Sequence, residues 1–124
     1  MKDIESKADL EHLMADFYNR LLRDPAISYI FTDIAKIDLP SHLPKIVNFW
    51  DQVIFNAGNY RTNVMQVHLN LHAQEPFTEK HFETWLGHLH NAVDENFKGE
   101  NAEKLKTRAL SIATMMKLKT TYSG

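Results

Sequence analysis

His68 and His72 stand four residues apart in the stretch Asn63 to Phe77, NVMQVHLNLHAQEPF, among apolar neighbours. On a helix that spacing puts two imidazoles on one face, as zinc sites require. The pair lacks the glutamate of an HExxH arrangement, no third ligand stands nearby, and the chain has no cysteine to complete a set. Tyr18, His42 and Trp85 carry hydrogen-bond donors at positions that extend or join apolar stripes in three separate segments. Each donor buried without an acceptor costs about 1–3 kcal/mol. Tyr18, His42 and Trp85 belong to segments with helical apolar spacing, whereas His68 and His72 sit in an irregular stretch between two of them.

Ser6, followed by apolar residues at Leu10, Leu13, Met14, Phe17 and Leu21, predicts a capped helix from Ser6 to Arg23. Asp24-Pro25 stops it, since a residue before proline avoids the helical region. Met14, Tyr18 and Leu21 share a face of that helix. Pro25 to Phe31 reads as one short helical turn, and Thr32 to Leu39 as a connection rich in turn formers. A second helix begins at Ser41 or Leu43 and runs to Phe55, with Ile46, Phe49, Trp50 and Val53 as its stripe and His42 at its mouth. Asn56 to Asn63 is a loop, with Gly58 as the expected C-terminal cap. Thr78 caps a third helix whose stripe is Phe82, Trp85, Leu86, Leu89, Val93 and Phe97, ended by Gly99. His88 and His90 fall outside that stripe and read as solvated or peripheral. Asn101 is the expected cap of a last helix, Ala102 to Lys119, with Leu105, Ala109, Ile112, Ala113 and Met116 inward. No strand pattern, repeat or interdomain linker appears, so the expectation is a single all-α domain over residues 1–124.

Composition narrows the function. A chain of 124 residues buries roughly two-thirds of its unfolded surface, enough for one core. The net charge of -2, with both signs interspersed, offers no footprint for nucleic acid or an anionic membrane. Without cysteine there is no disulfide, thiolate-ligated metal or thiol nucleophile. The charged N-terminus lacks the apolar core of a signal peptide, and no apolar run reaches the roughly 18 residues of a membrane span, which points to a cytoplasmic protein.

Three readings of the donors compete. Zinc at His68 and His72 leaves Tyr18, His42 and Trp85 idle. A plain helical or interaction module fits every stripe but gives the donors no acceptor. A haem held by one histidine supplies it, because a diatomic ligand on the opposite face accepts hydrogen bonds while apolar walls suit the macrocycle.

The residue pattern also resembles the truncated haemoglobins, specifically their third group. The likeness rests on Phe17-Tyr18; on His42, Ile46, Phe49 and Trp50 in H-x-x-x-I-x-x-F-W; and on Gly58-Asn59-Tyr60. It continues through Val67-His68-Leu69 and His81-Phe82-x-x-Trp85-Leu86, and so covers nearly the whole chain. The absence of Gly-Gly pairs agrees with that group. The resemblance implies a shortened globin fold, two helices across two others, with haem b between them.

Carried over, the resemblance makes His68 the iron ligand, Tyr18 the main donor on the distal side, Trp85 the second donor and His42 the distal residue that gates or contacts ligand. It places Ile46 and Phe49 along the distal wall and Phe31 at the porphyrin edge, with Lys45, Tyr60 and Arg61 toward the propionates. Two features depart from the pattern: Thr62 stands where many relatives have glycine, and Leu71 to Glu75 lengthens the loop before Pro76. Counting forward from His42 through Tyr60 reaches His68 without a gap, whereas counting back from Trp85 reaches His72, the second choice. The implied function is binding of dioxygen, nitric oxide or another diatomic ligand. Detoxification of nitric oxide or peroxide would need a separate reductase, and a ligand sensor or oxygen carrier is the rival.

Overall fold

The computed structural model describes the backbone of residues 1–34, 36–56 and 78–123, and the side chains of 1–33, 36–56 and 78–116. Among these residues every regular element is helical: α1 (Lys7–Arg23), α2 (Leu39–Phe55), α3 (Glu79–Asn96) and α4 (Glu100–Ser123), with a π-helical turn at Ile30–Ile34 between α1 and α2. α1 packs on α2 and α3, while α4 packs on α3 and α2. Leu10, Leu13, Leu21, Leu89 and Leu105 are wholly buried where these helices meet.

α1 follows its sequence closely. The Ser6 hydroxyl accepts from the Asp9 N–H, and the helix ends at Asp24, whose backbone is extended ahead of Pro25. Leu10, Leu13, Met14, Phe17, Tyr18 and Leu21 are all buried along one side. The helical turn expected to end at Phe31 instead continues to Ile34 as a π turn, so Thr32 to Ile34 are not plain connection.

α2 departs further from expectation. It begins at Leu39 after Asp38, with Pro40 in its first turn. Ser41 is therefore inside the helix and donates its hydroxyl to the Asp38 carboxylate at 2.7 Å rather than serving as the cap. His42 becomes a helical residue, not a flanking one. Its most buried residues are Val47, Trp50, Asp51 and Ile54, whereas Ile46, Phe49 and Val53 are half-buried against the core edge. The helix carries apolar residues on more than one side, and packing on two other helices selects the side centred one residue on from the stripe. At its C-terminus Asn56 takes the left-handed conformation, φ 59° and ψ 40°, in place of the expected Gly58, which lies outside the described residues. Asparagine tolerates that region better than other side chains.

The start of α4 is held from the far end of the chain. The Asp3 carboxylate accepts from the backbone N–H groups of Asn101 and Ala102, both at 2.9 Å, which satisfies donors left free in a first helical turn. Asn101 is thus in the helix, and its side chain donates to the Ile4 carbonyl at 2.7 Å. Burial of Asp3 works against its ionisation, but the three backbone donors of Asn101, Ala102 and Ile4 prevail and hold its carboxyl below the usual carboxylate range. Gly99 makes this approach feasible: its φ is 152°, and an added Cβ would lie 2.4 Å from Asp3 Cγ.

Candidate functional site

Each face-to-face element supplies one part of a mixed apolar and donor-bearing cluster. α1 supplies Phe17 and Tyr18, the π turn Phe31, α2 His42, Ile46 and Phe49, and α3 Trp85. Tyr18 is 4% exposed, and its hydroxyl lies 2.8 Å from His42 Nε2 with the rings edge to face. Burial pushes the Tyr18 phenol above its ordinary pKa, so the hydroxyl keeps its proton. Phe31 meets the Tyr18 ring at 5.9 Å between centroids, near perpendicular. On the other side Phe17 contacts both Tyr18, at 5.2 Å, and Trp85, at 5.8 Å. Such edge contacts fix ring orientations as well as burying area.

Trp85 is half-buried rather than fully enclosed, and among the described residues its indole N–H meets no acceptor. The site therefore holds one neutral phenol tied to an imidazole, one indole donor without a described acceptor, and half-buried apolar side chains at Phe31, Ile46 and Phe49. An apolar wall with a few convergent donors can take a large apolar group bearing a small polar ligand. That donor set fits a haem with a diatomic ligand. Lys45 is exposed on α2. Tyr60, Arg61, His68 and His72 lie outside the described residues, within which no cluster of three or more histidine, aspartate or glutamate side chains could hold a metal ion.

The sequence from residue 2 to residue 121 matches the model of the bacterial-like globin family. The chain belongs to that family. This globin is 26% identical over 112 residues to "Group 3 truncated hemoglobin ctb" of Campylobacter jejuni, covering 88% of the chain and 86% of that relative. Its fold matches the crystal structure of group III truncated hemoglobin from Campylobacter jejuni with a TM-score of 0.86 and 26% identity, across 100% of this chain and 98% of that one. The resemblance to the third group and the truncated-globin fold are both borne out. Haem-based binding of small ligands comes with membership of the family. No helix among the described residues is long and apolar enough to cross a membrane.

Two contacts of the globin escaped the sequence reading. His88, expected to be peripheral, places Nε2 2.8 Å from an Asp24 carboxylate oxygen. That bond, with the Ala26 N–H, holds the Asp24 carboxyl below its ordinary pKa. His81 bridges three groups: Nδ1 accepts from the Thr78 N–H at 3.0 Å, the Thr78 hydroxyl accepts from the His81 N–H, and Nε2 lies 3.0 Å from the Tyr29 hydroxyl. The first two make a capping box with histidine where glutamate or glutamine is usual. Thr78 three residues before a polar acceptor was the available signal. His88 with Asp24 had none, because 64 residues separate them. His90 is also more enclosed than expected, with Nε2 buried and without a partner among the described residues.

Proposed function

We propose that this globin binds dioxygen and other diatomic ligands, nitric oxide included, at a haem b held by His68. The observation that carries the reading is the buried Tyr18 hydroxyl, 2.8 Å from His42 and set among apolar side chains, with the Phe17 ring in contact with both Tyr18 and Trp85. Haem, held by His68, would supply an iron able to take a diatomic ligand. Tyr18, kept protonated by burial, is the first donor toward that ligand, and Trp85 is the second. His42 competes for the Tyr18 hydroxyl, so a turn of its imidazole toward solvent frees the phenol to donate. Phe31, Ile46 and Phe49 shield the group from water, and Lys45, Tyr60 and Arg61 suit the propionates by charge or hydroxyl.

Two donors in a poorly solvated site slow ligand release, which suits chemistry on the retained ligand better than rapid delivery. Detoxification of nitric oxide or peroxide, with a separate reductase supplying electrons, is the activity this favours over a carrier or sensor role. The cofactor and its ligand are tested together by absorption. Purified protein should show a strong Soret band, lost in His68→Ala and kept in His72→Ala. The reverse pattern would move the ligand to His72, and a colourless protein unresponsive to added hemin would overturn the haem assignment.

A further inference from the structure

His81, Trp85 and His88 stand at i, i+4 and i+7 on α3 and therefore share one face of that helix. The two histidines of this stripe reach the same short segment, the connection after α1. His81 meets Tyr29 at 3.0 Å and His88 meets Asp24 at 2.8 Å. Their attachment points lie roughly 10 Å apart along the helix axis, at 1.5 Å per residue. One hydrogen bond would let the helix pivot; two at that separation resist both a roll about its axis and a slide along it. Trp85 lies between them on the same face of α3, with its ring against Phe17.

The His81 end has a defined polarity. Because the Thr78 N–H donates to Nδ1, that nitrogen carries a lone pair and the ring proton sits on Nε2, which donates to the Tyr29 hydroxyl. One imidazole thus closes the first turn of α3 and ties that turn to the connection. Two residues beyond Tyr29, Phe31 packs on Tyr18. The clamp therefore aligns the helix bearing Trp85 with the segment that covers Tyr18.

We propose that His81 is a positioning residue, acting with Tyr29 to hold the Trp85 indole in its donating direction. The inference rests on the reading of Trp85 as a ligand donor. Glutamine at position 81 can do both jobs, its carbonyl accepting from the Thr78 N–H and its amide donating to Tyr29, whereas leucine can do neither.

The test measures dioxygen release from the ferrous holoprotein in His81→Gln, His81→Leu, Trp85→Phe and the double variant His81→Leu/Trp85→Phe, at a temperature where circular dichroism shows each folded. His81→Gln should stay within about twofold of the parent, and His81→Leu should release dioxygen severalfold faster. In the Trp85→Phe background His81→Leu should add nothing, since its effect runs through the indole. An additive effect there, or no effect of His81→Leu alone, overturns the positioning role while leaving Trp85 a donor. An unchanged rate in Trp85→Phe overturns the donor reading itself. A second readout does not involve ligand: ring 15N shifts of His81 should show Nε2 protonated and Nδ1 bare, and the opposite tautomer would refute the clamp.

Discussion

Replacing Tyr18 by phenylalanine removes a single oxygen from a position that packing otherwise holds fixed. The ring is buried against Phe17, Phe31 and His42, so phenylalanine can occupy the same volume and the helices need not move. What disappears is the hydroxyl between His42 Nε2 and any ligand beside it. An intramolecular hydrogen bond is worth about 0.5–1.5 kcal/mol net, which corresponds to roughly 2- to 12-fold in a rate when the bond is present in the bound state and lost on release. The partner left behind, His42, is half-buried and can turn to water, so the change should not add a large stability penalty. Stopped-flow displacement of dioxygen by carbon monoxide would measure the release rate, with thermal unfolding as the control for packing. His42→Leu should act in the opposite direction or not at all, because it frees the Tyr18 hydroxyl from its competitor. A Tyr18→Phe protein that releases dioxygen at the parental rate would refute the assignment of the phenol as a ligand donor.

Three further outcomes follow from other parts of the molecule. Exchange of His68 and of His72 for alanine should separate the two candidates in the absorption spectrum, as set out above. Asp3 has a carboxyl held below its ordinary 3.8, so its contribution to stability is complete above that value and declines as pH falls through the lower, folded-state pKa. Chemical denaturation followed from pH 6 down to pH 2.5 should show this acid loss, and Asp3→Asn should be less stable at pH 6 and less sensitive to acid; equal pH slopes would rule out the contribution. Gly99→Ala should lower stability by roughly 2 kcal/mol or more, since it combines a φ of 152° with a Cβ forced against Asp3. An unchanged melting temperature would show that neither constraint holds.

Helix existence and much of the family pattern were legible in the residues because both rest on short spacings. The Ser6 and Thr78 caps are signals within four residues, and the α1 stripe from Leu10 to Leu21 is one period repeated. The ordered motifs at Tyr18, His42, Trp85 and His68 carried the resemblance that the family match then bore out. Tertiary structure decided the rest. Which side of α2 is most buried depended on the two helices it packs against, since apolar residues occupy more than one side. That the Tyr18 hydroxyl meets His42, that His81 ties Tyr29 to a helix cap, and that Asp3 holds the start of α4 are contacts across 24, 52 and 98 residues. No periodicity connects such positions, because a hydrogen bond needs two atoms close in space and places no condition on the chain between them.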